Sequence, residues 1–455
     1  MQLSEAARVL DGRCVDGDVV FRGISTDSRS LQAGNLFVAL QGPSFDGHDY
    51  LDVARRQGAA AAAVSRPMDA AMPLLQVNDT RAALGQLAQH WRSQFHLPVI
   101  AITGSNGKTT VRSMIQAIVA CAGRTLSTQG NLNNDIGVPL TLFRLSAEDE
   151  YAVIEMGANH PGEIDYLTMI TQPDIAVVTN AGPAHLEGFG DLDSVAQAKG
   201  EVFTHLGTAG TAVINADDRY APLWRELAGD SRVVDFGLDH TAAVMAAWRG
   251  DPAGSDIELR TAAGNIRLRL PLPGRHNVMN ALAATAAALA AGVGPEQVRQ
   301  GLESLAPVAG RFNLHQLPGQ VTVIDDTYNA NPESLLAAIE VLAMAEGDKW
   351  LVLGDMGELG DAAVALHRDA GKQARAAGID CLFTLGPLAQ EAAAGFGTNA
   401  IVCDSQEALL AALQADMHSD LHILVKGSRR MRMEQIVAAL GATVRSTGSH
   451  TEVKH

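Results

Sequence analysis

The stretch Val99 to Thr110, VIAITGSNGKTT, sets out the parts of a polyphosphate site. Val99, Ile100, Ala101 and Ile102 predict a buried strand, Thr103, Gly104, Ser105, Asn106 and Gly107 a glycine loop, and Lys108, Thr109 and Thr110 open an apolar-periodic helix through Met114, Ile115, Ile118 and Val119. A bend from strand to helix aims backbone N–H groups and the helix dipole into one concavity, which favours a polyphosphate. Lys108 would reach the terminal phosphates, and Thr109 or Thr110 would offer a hydroxyl to the accompanying magnesium ion. The usual GxxxxGK[ST] spacing is shortened, because Ile102 stands five residues before Gly107 and the first glycine is Gly104. Glu155 ends a second apolar strand, YAVIEM, and supplies the hard oxygen that magnesium prefers. His185 follows the strand IAVVTN, but a lone histidine is a softer donor. Lys199, in VAQAKGEVF, falls in a predicted helix, where spacing alone predicts a solvated side chain. Asn133 and Asn134, in GNLNNDIGVP, either meet a ligand or cap a helix starting near Val138.

These groups need a frame. Between residues 83 and 313, strands at 98–103, 151–156, 175–180 and 211–215 alternate with helices near 108–121, 162–169 and 193–206. Nearly all-apolar strands in that rhythm predict a parallel sheet of P-loop ATPase type covered on both faces. Residues 255–271 alternate with period two about Ala263-Gly264-Asn265, a hairpin appended to that sheet, and 276–291 predicts an alanine-dominated helix packed close to a neighbour. Residues 1–82 predict a small mixed α/β domain with strands at 19–24, 36–40, 60–64 and 74–77, joined to the centre by a helix over 79–95 behind Asn78-Asp79-Thr80. Two polar turns follow its strand ends, one with Ser25, Asp27, Ser28 and Arg29, the other with Asp46, Gly47 and His48. Open α/β sheets place ligands at such ends, and the same residues also make ordinary turns. From 314 to 445, strands at 321–325, 350–354, 381–385, 400–403 and 422–426 alternate with helices near 332–344, 361–376, 387–395, 405–414 and 433–440, a Rossmann-like doubly wound pattern. Residues 446–455 predict a disordered polar tail. The fold class is α/β in three domains.

Composition bounds the partners. A net charge of −17 disfavours broad nucleic-acid or anionic-membrane binding, so any phosphate must be held locally. Cys14, Cys121, Cys381 and Cys403 lie far apart without CxxC spacing, which argues against a disulfide framework or zinc site and predicts buried free thiols. No apolar run reaches the ~18 residues of a membrane span, and Glu5, Arg8 and Asp11 interrupt the region where a signal peptide would be apolar. The expectation is a cytoplasmic, monomeric, soluble protein.

Read together, the ordered segments TGSNGKTT, NLNNDIGVPLTL, IEMGANHPGEI, NAGPAHLEGFG, AKGEVF, PGRHNVMNALAA and GRFN resemble the central domain of the Mur ligases, ATP-dependent amide-bond-forming enzymes of bacterial cell-wall synthesis. STDSR, LFVAL and DGH resemble that family's UDP-sugar-binding domain. DDTYNANPESLLAAI, LGDMGELG and VKGSRRMRME resemble the C-terminal domain of the branch that adds D-alanyl-D-alanine to UDP-N-acetylmuramoyl-tripeptide. The resemblance implies ATP and two magnesium ions, with Thr103 to Thr110 around the phosphates, Lys108 and Arg311 directed at them, and Thr109, Glu155 and His185 at the metals. It implies that Lys199 is carbamylated and that its added carboxylate ligates or orients the second magnesium. Asn277 and Asn280 fall near the adenine and Asp326 near the ribose. Ser25, Asp27, Ser28, Arg29, Asp46, Gly47, His48, Asn133 and Asn134 fall to the UDP-sugar substrate, and Tyr328, Asn329, Asn331, Lys426, Ser428 and Arg429 to the face closing over the reacting groups. The implied chemistry is phosphorylation of a carboxylate followed by attack of an amine. The sister ligase that adds the third residue carries a DNPR segment, absent here; a nucleotide switch is the reading from another class, but an NKxD-like segment is absent too.

Overall fold

The structure, a computed structural model, describes residues 1–183, 186–306 and 308–448. The first sheet contains β1 (Arg13–Val15), β2 (Gly23–Ser25), β3 (Asn35–Val38), β4 (Ala61–Val64) and β5 (Leu74–Gln76), in the order β1-β5-β4-β3-β2, with β1 antiparallel and the rest parallel. β2 starts later than the apolar run at 19–24 predicts, because Val20 leaves the sheet for an isolated bridge to Gln2. The joint helix Thr80–Arg92 begins at Asp79, whose carboxylate accepts from the amides of Arg81 (2.7 Å) and Ala82 (3.1 Å), a standard N-cap.

The central sheet holds β6 (Val99–Thr103), β7 (Thr125–Ser127), β8 (Tyr151–Glu155), β9 (Ile175–Val178), β10 (Thr211–Asn215) and β11 (Arg232–Phe236), all parallel, in the order β11-β10-β9-β6-β8-β7. Alternation along β6 sends Ile100 and Ile102 to the core on one face and Val99 and Ala101 to the core on the other. β7 and β8 lie on one side of β6 and β9, β10 and β11 on the other, so the strand order changes direction beside β6. Open parallel sheets bind ligands in the crevice beyond the strand ends at this switch.

β12 (Met245–Asp251), β13 (Gly254–Thr261) and β14 (Gly264–Leu270) form a separate antiparallel sheet. The hairpin predicted at 255–271 is therefore two-thirds of a three-stranded unit; the alanine and glycine of β12 carry little strand signal. Ile257, Leu259, Ile266 and Leu268 pack into the same core as the alanine helix Arg275–Ala290 and the glycine-loop helix Lys108–Ala120. The alanines keep this contact short.

The third sheet comprises β15 (Asn313–Leu317), β16 (Val321–Asp326), β17 (Asp348–Gly354), β18 (Cys381–Leu385), β19 (Ala400–Cys403) and β20 (Leu421–Lys426), in the order β15-β16-β20-β17-β18-β19. Only β15 is antiparallel, a largely exposed edge strand whose polar side chains hide it from periodicity. Apolar clusters cover both faces of the sheet. The last helix runs through Gly448, into the stretch expected as a tail. Of the four free cysteines only Cys403 is buried and Cys121 is exposed, which corrects the expectation of four buried thiols. Among the described residues, no helix is long and apolar enough to cross a membrane.

Candidate active site

The glycine loop follows β6 at the switch point. Gly104 (φ 142°) and Gly107 (φ 82°) adopt backbone angles that favour glycine. The space is equally restrictive: a Cβ on Gly104 would lie 2.0 Å from Thr179 Oγ1, and one on Gly107 2.4 Å from Asn280 Oδ1 on the alanine helix. The loop is tied to the end of β9, with the Ser105 amide donating to the Asn180 carbonyl (3.0 Å), the Asn106 amide to Asn180 Oδ1 (2.9 Å) and the Thr179 hydroxyl to the Asn106 carbonyl (2.6 Å). Lys108 folds over the loop and donates to the carbonyls of Gly104 (2.6 Å) and Ser105 (3.1 Å). Burial pushes its ammonium below the usual lysine range; Glu155 opposes that shift and Arg311 adds to it. A phosphate oxygen is a stronger acceptor than those carbonyls and would draw the ammonium outward.

Glu155 stands beside Ile102 in the β6–β8 register, which delivers its carboxylate to the loop. It is 2% exposed. Its Oε1 accepts from Asn133 Nδ2 (2.9 Å) and Thr109 Oγ1 (3.2 Å), while Oε2 lies 3.5 Å from Arg112 Nε without a hydrogen bond. Oε2 thus has the Arg112 charge near it but no hydrogen bond, and a buried carboxylate oxygen in that state is open to a further cation. Arg311 reaches across from the C-terminal side, its Nη2 donating to Thr109 Oγ1 (3.0 Å) and its guanidinium stacked 4.2 Å from the Tyr328 ring centre. Among the described residues no cluster of three or more His, Cys, Asp and Glu side chains could hold a metal. Glu155 with Thr109 nevertheless fits magnesium, which keeps several waters and phosphate oxygens and takes few protein ligands. His185 lies outside the described residues.

Lys199 departs most from its expectation. It is 1% exposed, with Nζ 3.4 Å from the Ala158 carbonyl and 4.9 Å from the Phe189 ring centre. Burial, aided by the Lys108 charge, lowers its pKa to about 7 against the pull of Glu201 and Glu163. Holding a cation there costs on the order of several kcal/mol, so the neutral amine, the form that can add to carbon dioxide, is well populated.

A cleft of about 1610 Å³ joins these groups. Single small-molecule sites run to roughly 300–1,000 Å³, so the volume suits more than one substrate. The comparisons agree with the architecture. Family models described as Mur ligase middle domain, Mur ligase glutamate ligase domain and Mur ligase catalytic domain match residues 102–288, 310–429 and 20–92. The UDP-N-acetylmuramoyl-tripeptide--D-alanyl-D-alanine ligase of Escherichia coli (strain K12) is 43% identical over 442 residues, covering 96% of this chain and 98% of its own. The chain is a Mur ligase. Among solved structures, MurF from Acinetobacter baumannii superposes with a TM-score of 0.91 at 39% identity, covering 96% of this chain and 98% of that one. MurF from Thermotoga maritima in complex with ADP gives 0.86 at 28% identity, covering 94% and 99%.

In this Mur ligase the cleft gathers most of the residues expected from sequence. Ser105 to Thr110, Asn133, Asn134, Glu155, Asn277, Asn280, Arg311, Asp326, Tyr328, Asn329, Asn331, Lys426, Ser428 and Arg429 all line it, while Thr103 and Gly104 are outside its lining. The alternatives for the two asparagines divide: Asn133 holds Glu155, and Asn134 Oδ1, two residues before the N-cap Ile136, accepts from the Gly137 amide (2.8 Å) at the start of the helix Gly137–Leu142. Asp326 and Lys426, paired in the β16–β20 register, form a buried ion pair, and Lys426 also donates to the Asn329 carbonyl (3.0 Å). Asn331 caps the helix Pro332–Ala343 and donates to Asn106 Oδ1 (2.7 Å), bringing the C-terminal unit onto the loop tip.

The N-terminal set is not brought to this cleft. Ser25, Asp27, Ser28, Arg29, Asp46, Gly47 and His48 stand at the ends of β2 and β3, outside its lining. Asp27 is paired with Arg29 (2.7 Å), which lowers its pKa to about 2. Asp46 Oδ1 accepts from the His48 amide (2.9 Å) and meets His48 Nδ1 (2.6 Å), while Oδ2 meets Arg66 (2.9 Å). His48 is 2% exposed, and its Nε2 accepts from the Ser65 amide (3.0 Å). Further side chains at the site carry no expectation from the sequence, among them Arg112, Glu333 and His276. Arg112 lies one helical turn beyond Lys108, a spacing that signals a shared face. Glu333 accepts from Asn106 Nδ2 (2.9 Å), and burial raises its pKa. His276 lines the cleft with its pKa lowered by burial to about 4. Those two carry no local signal, because their partners come from other domains.

Proposed function

We propose that this Mur ligase joins D-alanyl-D-alanine to the terminal carboxylate of UDP-N-acetylmuramoyl-tripeptide, converting ATP to ADP and phosphate. The observation that carries the proposal is the 43% identity, across nearly the whole of both chains, to the Escherichia coli enzyme named for that reaction. The Thermotoga maritima relative with ADP supports nucleotide use, and the cleft contains the groups the chemistry requires.

A carboxylate is a poor acyl donor because oxide would have to leave. Transfer of the γ-phosphoryl group to it makes an acyl phosphate; the dipeptide amine then attacks the acyl carbon, loses a proton, and phosphate departs. Acceptor and nucleotide are both anionic. Lys108, Arg311 and the loop amides would hold the phosphates, with Asn277 and Asn280 beside the base and Asp326 at the ribose. Glu155 and Thr109 would hold magnesium, which supplies further charge neutralisation between the two anions. Lys199 would act as its carbamate, made when its neutral amine adds to carbon dioxide and releases a proton; the product is a carboxylate on the wall at Ala158. Tyr328, Asn329, Asn331, Lys426, Ser428 and Arg429 close the far side and exclude water from the acyl phosphate. The UDP end would lie on the N-terminal turns, with Asp46 and His48 shaping the turn that Gly47 presents. The working unit is a cytoplasmic monomer divided near residues 82 and 313.

The test is phosphate release from ATP in the presence of UDP-N-acetylmuramoyl-tripeptide, with and without D-alanyl-D-alanine. Release that requires the dipeptide, with a product heavier by that dipeptide less water, is expected. Turnover indifferent to the dipeptide overturns the proposal.

A further inference from the structure

We propose that Arg81 and Asp135 recognise the side chain of the acceptor peptide's last residue, selecting one that ends in both an ammonium and a carboxylate over one that ends in an ammonium alone. The inference rests on the ligase reading above.

Contacts lead from the reacting end to this pair. Glu155 Oε1 is held by Asn133 (2.9 Å), and two residues further along the same loop Asp135 Oδ2 accepts from Arg81 Nη1 (2.9 Å). All four side chains line the cleft, together with Asp79 and Tyr166. The Arg81 side chain is 51% exposed and that of Asp135 33%, so both face the space a substrate would enter. Their places are fixed from behind. Asp79 caps the joint helix through the Arg81 amide, and the Tyr166 hydroxyl packs so closely on Gly85 that a Cβ there would lie 1.9 Å from it. Burial, with the charges of Asp135 and Asp79 adding, keeps that hydroxyl protonated as a donor.

Direction follows from the chemistry. The acceptor carboxylate must sit at the glycine loop and Glu155 to receive a phosphoryl group. The amine would approach over the C-terminal unit's share of the cleft lining, which includes Tyr328, Lys426 and Ser428. The acceptor's own last side chain therefore extends along 131–135 toward Arg81 and Asp135. A zwitterionic end lets the two residues exchange partners: the guanidinium fork takes the carboxylate and Asp135 takes the ammonium. A lone ammonium would draw Asp135 away and leave Arg81 facing a like charge. Selection then arises from the group the wrong ligand leaves unpaired.

The experiment compares kcat/KM for UDP-N-acetylmuramoyl-tripeptides ending in diaminopimelate and in lysine, using the full chain and the variants Arg81→Gln and Asp135→Asn. The full chain should favour the diaminopimelate acceptor by about tenfold or more, the value of one charge-assisted pair. Arg81→Gln should lose that preference through a higher KM for the diaminopimelate acceptor alone, at unchanged kcat and unchanged KM for ATP, whereas Asp135→Asn should weaken both acceptors. Equal losses on both acceptors in Arg81→Gln, a shift in KM for ATP, or no change at all overturns the assignment. Turnover of neither acceptor by the full chain would instead overturn the ligase reading on which it rests.

Discussion

The polar residues of the central loop and those of the N-terminal turns resemble each other in sequence but stand in opposite states of satisfaction. Around the glycine loop, Glu155 Oε2 and Arg311 Nε are buried without hydrogen-bond partners, and the Lys108 ammonium is parked on its own loop's carbonyls. In the N-terminal turn, Asp46 has both oxygens engaged and His48 both ring nitrogens. A fold tolerates unspent buried polar atoms only where something offsets their desolvation, so the first arrangement marks a site awaiting charge. The second marks a turn that holds itself in shape.

Lys108→Ala strikes the unspent side of this contrast most directly. It should lower kcat by about 10²–10³-fold or more, the range for removing a preorganised charged donor, with the circular dichroism spectrum unchanged. Activity within a few fold of the parent would mean that the phosphates lie elsewhere.

Lys199→Ala should follow with a loss of about 10²-fold, partly restored by short carboxylic acids able to occupy the vacated wall. Full activity without rescue removes the carbamate from the account. The intact protein supplies a second arm. With its pKa about 7, the neutral amine dominates above that pH and becomes scarce below it, so bicarbonate-depleted enzyme should lose activity as pH falls through about 7 and regain it on adding bicarbonate. Burial depresses this group, so the unfolded chain binds the extra proton and stability rises with pH between about 7 and the unperturbed lysine range. Loss of activity on the acid side therefore occurs where folding is also weaker, and the bicarbonate response separates the two.

Glu333→Ala tests whether the loop's apparent openness depends on the C-terminal unit. Asn106 donates to Glu333 and accepts from Asn331, so the loop tip is held from two positions of one helix start. Removing the acceptor should raise KM for ATP several-fold, consistent with about 1 kcal/mol for a partly exposed hydrogen bond, with little change in kcat. Glu333→Gln, which keeps an acceptor, should behave like the parent. Equal defects in both variants would point to charge rather than to the latch.

These contrasts explain what was legible in the chain beforehand. The glycine loop, the apolar strands β6, β8, β9 and β10 and the alanine helix are local patterns whose periodicity survives in sequence. Edge strand β15 and the alanine-bearing β12 were not, since neither alternates strongly enough. The site residues read from motifs are largely those that line the cleft, because a loop next to a strand end has little freedom in where it points. The burial of Lys199 was invisible: helical spacing gives its position on the helix but not the neighbours, Phe189 and Ala158, that enclose it. Glu333 and Arg81 were missed for a related reason, as each acquires meaning only from a partner more than fifty positions away.

His48→Ala gives the smallest catalytic effect and the sharpest test of the closed side. The ring is buried between Asp46 and Ser65, and its removal leaves the Ser65 amide without its acceptor and takes the imidazole contact from Asp46 Oδ1, which keeps the residue 48 amide. A loss of about 1–3 kcal/mol follows from stranding buried hydrogen-bonding groups. That loss should show as earlier urea unfolding of the N-terminal unit, followed by fluorescence from a probe placed at the exposed Phe45 through Phe45→Trp. The KM for ATP should not move, since Asp46, Gly47 and His48 lie outside the lining of the cleft that contains the glycine loop. The KM for the UDP-linked acceptor should rise only as far as the turn loosens, and a stabilising osmolyte should reverse it. A large, osmolyte-insensitive rise in that KM at normal stability would instead put the imidazole in contact with the substrate, and the turn would then belong with the glycine loop as a site awaiting its ligand.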